Sequence, residues 1–410
     1  MTTTPTIDGS HLHARLAELA RIGAIDGGGC ARLALTDEDR QGRDLVVSWM
    51  RDLDLAVAVD AIGNVFGVRR GRQDGPPVMT GSHIDTVRTG GRFDGNYGVL
   101  AGLEVCRALD AAGVRTRHPL CVAFFTNEEG ARFQPDMMGS LVHAGGLTLQ
   151  EAYAATDTSG VRLGDELERI GYRGPAPTGA IRPRAFVELH IEQGPVLEDA
   201  GITIGAVTGV QGISWHAFVV TGVSAHAGTT PMRLRHDAGY VAAATAAFVR
   251  QVTRDMGGAQ VGTVGVNELR PNLINVIANH ARFTVDLRNT DEALLQAAER
   301  RVFAFIDDIA AAEGVTVERR RLARFEPVVF DTAMVDRVER IAQAHGRTTL
   351  RLPSGAGHDA QMMARLCPTG MIFVPSVKGL SHNVAEYTTP ADLEAGAAVL
   401  LDVMLELAED

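Results

Sequence analysis

The feature that most constrains this chain is a change of rhythm in its hydrophobic pattern. Up to about residue 211, short apolar runs alternate with segments of helical spacing. Between about 212 and 328 the order becomes strand, helix, strand, strand, helix, strand, and after 329 the alternation resumes. Alternating strands and helices build a sheet covered by helices, whereas the middle order is that of a split βαβ sandwich. The chain has 410 residues, more than the roughly 250–300 at which a single hydrophobic core stops growing. The expectation is an α/β protein of two domains. One is split between 1–211 and 329–410, and an α+β (βαββαβ, ferredoxin-like) domain is inserted at 212–328.

The local signals are specific. TDEDRQGRDLVVSWMRDL (36–53) reads as a capped helix, AVAVDAIGNVFGVRRG (56–71) as a strand pair, and PPVMTGSHIDTV (76–87) as a strand entering a polar loop. VLAGLEVCRALDAAG (99–113) has helical spacing and a glycine stop, and PLCVAFFTNEEG (119–130) is an apolar strand ending in acid. In the middle, ISWHAFVVTGV, the helix within 236–257, AQVGTVGVNEL, HARFTVDLRN, a helix from Asp291 to about Glu313, and GVTVERRRL fill the six places in order. A helix near 332–345, the strand GMIFVPS, and a last helix opened by Thr389 and Pro390 complete the chain.

Ionisable residues concentrate where strands end, the edge at which open α/β sheets place their ligands. GSHIDT (81–86), GGRFDGNYG (90–98), TNEEGARF (126–133), ELHIEQG (188–194) and GLSHNVAEYT (379–388) offer His83, Asp85, Asp94, Glu128, Glu129, His190 and His382. Imidazole and carboxylate suit zinc, manganese, cobalt or nickel. His83 and Asp85 are two apart on a strand edge, so Asp85 is placed to orient the imidazole. Glycines flank Asp94 and let backbone approach a ligand. Adjacent Glu128 and Glu129 repel each other unless a cation or proton intervenes, so one is expected to ligate metal and the other to act as base. Singly, each segment has a plainer reading: a surface polar pair, an Asp-Gly turn, a solvated acidic turn, a loop histidine. Their joint occurrence, in an order that returns to one crevice, argues for a site.

GSHIDTVRTGGRFDGNYG, FFTNEEGARF, FVELHIEQGPVLE, SAHAGTTPMRLRHDA, RPNLINVIANHARFTVDLRN, SGAGHDAQ and IFVPSVKGLSHNVAEYT follow one another in this chain. Together they resemble the amidase branch of the metal-dependent aminoacylase and carboxypeptidase superfamily: N-carbamoyl-L-amino acid hydrolases, β-ureidopropionases and allantoate amidohydrolases. The resemblance runs from about residue 20 to the end and implies a split catalytic domain of zinc-exopeptidase type, with the insertion serving as dimerisation surface and lid. It further implies two divalent cations per subunit, zinc first, with manganese, cobalt or nickel as alternatives. Asp94 would bridge them, with His83 and His190 on one ion and Glu129 and His382 on the other. Glu128 would be the base. Arg288 would grip the substrate carboxylate with Asn275 and Gln193 as helpers, His226 would stabilise the oxyanion across a dimer interface, and His358 would bind the carbamoyl group.

The implied reaction is hydrolysis of N-carbamoyl-L-amino acids or N-carbamoyl-β-alanine. An allantoate amidohydrolase shares every motif, and Trp215 in GISWHAF inclines the reading toward the carbamoyl side. An N-acyl-amino acid deacylase or dipeptidase, or a non-catalytic binding protein on the same scaffold, are the other readings. The net charge of −11 argues against nucleic acid or an anionic membrane as partner. Cys30, Cys106, Cys121 and Cys367 are far apart without metal-finger spacing, so free thiols in a reducing compartment are expected. The N-terminus has no basic start followed by an apolar core, and no apolar run reaches the ~20 residues that span a bilayer. A cytoplasmic homodimeric enzyme, paired through 212–328, is the combined expectation.

Overall fold

The computed structural model of the protein describes residues 4–410; the first three residues of the domain drawn from position 1 lie outside the described residues. Two compact units separate, Met1–Gly209 with Val329–Asp410, and Val210–Val328. The chain lays down β1 (Ala56–Val59), β2 (Val65–Arg69), β3 (Val78–His83), β4 (Leu120–Phe125), β5 (Ala185–Ile191) and β6 (Ile204–Val210). The second unit holds β7 (Gly212–Thr221), β8 (Val261–Thr263), β9 (Asn267–Arg270), β10 (His280–Asn289) and β11 (Thr316–Phe325). Finally come β12 (Val328–Val329), β13 (Thr349–Ser354) and β14 (Thr369–Val374).

In the first unit the sheet runs β1-β2-β4-β3-β5-β14-β6-β12, with β13 on β6. At its centre β4, β3, β5 and β14 lie parallel. Each is buried along its whole length, as expected of strands covered on both faces. Parallel pairing brings the carboxyl ends of all four strands to one edge. The helix Asp37–Asp52 is capped by Thr36, whose side chain accepts from the Asp39 amide, and it carries Asp37, Glu38 and Asp39 in its first turn. The helix Pro390–Glu409 starts with Thr389 as cap and proline in its first turn. It buries Leu393, Val399, Leu400, Val403 and Met404, each worth roughly 1.5–3 kcal/mol of transfer free energy.

Two buried arginines fasten this edge. Arg43 pairs with Asp39 at 2.8 Å, both side chains fully buried, and also donates to Gly63 O and to Thr126 Oγ1 just beyond β4. Removing one partner of such a pair costs about 3–5 kcal/mol, against about 0–1 for exposed pairs such as Arg351 with Glu339. Arg32 donates to the carbonyls of Leu19, Ile22 and Ile84 and to Asn96 Oδ1. It thereby ties the turn after β3 to the first residue of the helix Asn96–Ala111.

In the second unit the order is β11-β7-β10-β8, with β9 also on β10, and every pairing is antiparallel. That is the ferredoxin-like arrangement expected. Ala281, Phe283, Val285 and Leu287 alternate inward on β10 and meet the helices Ala238–Met256 and Glu292–Glu313. Phe218 and Phe283 stack at 5.1 Å between centroids. The single strand expected at 259–269 is two. Thr263 faces Asp286 and Asn267 faces Phe283, so four steps oppose three and one residue bulges out beside Gly265.

Candidate active site

The four parallel strand ends carry the site. His83 closes β3, Glu128 and Glu129 follow β4, His190 lies near the end of β5, and His382 stands in the loop after β14. Asp94 comes from the glycine-flanked turn before the helix Asn96–Ala111. Each of the first two imidazoles has its Nδ1 against a main-chain carbonyl at 2.8 Å, His83 on Asp85 O and His190 on Ile191 O. An Nδ1–H that donates there leaves Nε2 as the lone pair, and both Nε2 atoms face Asp94 Oδ1, at 3.6 Å and 3.1 Å. The other oxygen, Oδ2, faces His382 Nε2 at 3.3 Å, and that nitrogen is 3.2 Å from Glu129 Oε2. Among the described residues, His83, Asp94 and His190 form one group able to hold a metal ion and Asp94, Glu129 and His382 another. One buried carboxylate thus shares its two oxygens between two ligand sets.

The electrostatics fit cations at this place. Burial opposes charging the His83 ring, yet Glu128, Asp94 and Asp85 outweigh it and hold its pKa well above the usual imidazole value. His190 is raised likewise, burial opposing and Asp94 and Glu188 prevailing. Asp94 and Glu129 push half-exposed His382 up to about 10. Asp94 is itself held well below the carboxylate range, its burial outweighed by His190, His382 and His83. A pocket that draws protons onto three imidazoles has an excess of negative charge, which divalent cations neutralise by displacing those protons.

Glu128 belongs to neither ligand group. Its Oε2 is 3.4 Å from His83 Nε2, and burial drives its carboxyl well above the usual value against the pull of His83. Asp85 differs from expectation. Its carboxylate lies 3.9 Å from His83 Nδ1 and instead accepts the amides of Glu128 and Glu129 at 3.2 and 3.3 Å. The reason is local: with its carbonyl already on the His83 ring, the side chain extends toward the turn after β4. Glu192, the residue after β5, caps the helix Val196–Ala200 by accepting the amides of Val196 and Leu197. Gln193 places its amide on Asp94 Oδ2 at 3.0 Å and on Ser381 Oγ at 3.2 Å. His358 is buried, stacks edge-on to His190 at 4.6 Å and meets Ser354 Oγ at 2.9 Å; burial holds its pKa well below the usual value.

The remaining three expected residues belong to the second unit. His226 is exposed and its Nδ1 accepts the amides of Gly228 and Thr229, so its proton sits on Nε2 as an outward donor. Asn275 is exposed, its carbonyl accepting from Ala227 N. Arg288 forks onto Asp286 at 3.0–3.2 Å, with its guanidinium 5.5 Å over Trp215. Two residues near the bridge carried no expectation. Glu386 lies in the motif that contributes His382, and Ser381 lies beside it; neither type stands out from sequence. Asn127, Gln193 and His382 all adopt positive φ, conformations that cost of order 1–3 kcal/mol each and gather at functional sites.

This fold and this ligand geometry define a known class. The model of the family described as peptidase family M20/M25/M40 matches residues 79–406, and the chain belongs to that family. It is 43% identical over 404 residues to the N-carbamoyl-L-amino-acid amidohydrolase of Rhizobium meliloti, covering 98% of this chain and 97% of that one. It is 40% identical over 408 residues to the N-carbamoyl-L-amino acid amidohydrolase of Geobacillus stearothermophilus, covering 98% and 99%. A crystal structure of an amidase of the hydantoinase/carbamoylase family from Burkholderia multivorans superposes with a TM-score of 0.95 at 45% identity, covering 100% of both chains.

Gly95 links the site's geometry to a test. Its φ is +64° and an added Cβ would lie 2.4 Å from His83 Nε2. Gly95→Ala is expected to leave the circular dichroism of the folded chain intact while cutting divalent-metal retention on desalting at least tenfold, a typical loss when ligand orientation is disturbed. Metal retention equal to wild type would show that His83 is not held against this turn.

Proposed function

We propose that this chain is a dinuclear metal-dependent amidohydrolase that removes the carbamoyl (ureido) group of N-carbamoyl-L-amino acids or N-carbamoyl-β-alanine. With one water, the products are the amino acid, ammonia and carbon dioxide. The observation that carries the reading is the division of Asp94's two oxygens between two ligand sets, with Glu128 at hand but outside both. His83, Asp94 and His190 would hold one cation, and Asp94, Glu129 and His382 the other. Bound there, divalent cations supply Lewis acidity, polarising the substrate carbonyl and lowering the pKa of water to near neutrality.

The chain's own groups do the rest. Glu128 takes a proton from the attacking water and returns it to the leaving nitrogen. Burial raises its carboxyl above the usual value, which makes it a stronger proton acceptor than an ordinary carboxylate. Asp85 holds the Glu128 and Glu129 amides and so fixes where both carboxylates start. The Nε2–H of His226 is the right donor for an oxyanion. Arg288 offers the planar fork that a substrate carboxylate takes in place of Asp286, with Asn275 assisting. His358, held neutral by burial, can hydrogen-bond the carbamoyl group without adding charge. The second reading, allantoate hydrolysis, uses the same residues.

The inserted unit is read as dimerisation surface and lid. It exposes Val223, Met232, Leu234, Tyr240, Leu273 and Ile274, side chains that a second copy would cover. The four free thiols accord with a reducing cytoplasm, and among the described residues no helix is long and apolar enough to cross a membrane.

Three outcomes are expected. Glu128→Gln keeps its metals, measured by elemental analysis, and loses turnover by at least about 10²–10⁴-fold, the worth of general acid-base catalysis; a near-normal rate would remove Glu128 as base. In ammonia release from N-carbamoyl-L-amino acids, N-carbamoyl-β-alanine, allantoate and N-acetyl-amino acids, each with zinc, manganese or cobalt, the carbamoyl compounds lead; a winning N-acetyl substrate would make the chain a deacylase. The double variant Met232→Asp, Ile274→Asp sediments as a folded monomer, keeps its metals and loses turnover, whereas a fully active monomer would contradict a cross-subunit role for His226.

A further inference from the structure

We propose that Glu386 is a positioning residue that sets the geometry of the bridging carboxylate, holding the Phe93–Asp94 backbone and the His382 loop against each other. The inference rests on the reading of Asp94 as the ligand shared by two cations.

Glu386 is only 3% exposed. Its Oε1 accepts the main-chain amides of Phe93 at 3.1 Å and Asp94 at 3.3 Å, across almost 300 residues of sequence. Its Oε2 accepts the Ser381 hydroxyl at 3.3 Å. Ser381 in turn lies 3.4 Å from Asp94 Oδ2 and accepts from Gln193 Nε2 at 3.2 Å. One carboxyl group therefore touches both segments whose side chains must meet, the turn of Asp94 and the loop of His382. The turn is shaped to admit it, because a Cβ at Gly91 would stand 2.0 Å from Glu386 Oε1.

The physical case is one of freedom removed. The Asp94 carboxylate can serve two ligand sets only if its backbone is fixed, since rotation or a small shift would turn both oxygens to one side. The two amides held by Glu386 are those of Asp94 itself and of its neighbour, so the restraint acts one bond from the Cα that carries the bridge. His382 stands at positive φ, in a loop with little intrinsic preference for its conformation, and the Glu386 to Ser381 bond anchors that loop one residue away. A second buried carboxyl beside Asp94 is electrostatically adverse. Its placement is understandable if the hydrogen bonds, rather than the charge, are what the site requires.

The test separates placement from charge. The full-length chain is stripped with a chelator, checked for folding by circular dichroism, and titrated with zinc or manganese against a chromophoric competitor. This is done for wild type, Glu386→Ala, Glu386→Asp and Glu386→Gln. Wild type is expected to take up two ions, and the Ala and Asp variants to bind about 10–100-fold more weakly, the usual cost of losing a partner behind a metal ligand. Gln is expected to bind close to wild type, because its amide oxygen can accept both main-chain amides and its nitrogen can donate to Ser381. If Ala does not fold, the contrast between Asp and Gln carries the result. A Gln variant as weak as Asp would assign Glu386 a charge role and overturn the proposal, as would undiminished binding by Asp or Ala. Failure of wild type to bind two ions would instead remove the shared-ligand reading on which the proposal stands.

Discussion

The structure turns on one carboxylate that must face two ways. Asp94 is buried, and its oxygens point to different imidazoles. Burial alone would keep an acid there neutral, so its depressed pKa depends on three rings brought from three other segments of the chain. Those rings in turn are raised by the acids around them. Neither set is stable there by itself. Their mutual compensation explains why so many ionisable groups can occupy the end of a fully buried parallel sheet.

The fold makes this compensation possible by delivering ligands from a rigid platform. β3, β4, β5 and β14 are buried throughout and parallel, so their ends lie along one edge. Arg43 with Asp39 and Arg32 with its carbonyls pin the turns just beyond them. Strained residues then complete the pocket. Asn127, Gln193 and His382 hold left-handed backbone, a cost the platform underneath can bear.

Much of this was legible beforehand. The helix with Thr36 as cap, the helix opened by Thr389 and Pro390, and the six-element order of 212–328 followed from capping residues and periodicity. The short helices Met138–His143, Leu149–Ala154 and Leu163–Arg169 were not read, because six or seven residues complete fewer than two full turns, too few to display a period. β6 and β13 escaped for a related reason, their glycines and prolines masking the strand pattern. At the site, the ionisable residues were found from their unlikely placement after apolar runs. The carboxylate of Asp85 meets the amides after β4 rather than the His83 ring because strand alternation predicts a face but not which neighbouring amides a carboxylate will meet.

Sequence by itself determined the ingredients: the order of elements, the residue types capable of binding cations, and their position at strand ends, all consequences of local preference and hydrophobic period. Tertiary structure alone decided which oxygen faces which ring, that Asp85 serves the turn after β4, and that Glu386 reaches Asp94. Those are distances between residues far apart in the chain, and they exist only once parallel pairing has set the strand ends side by side.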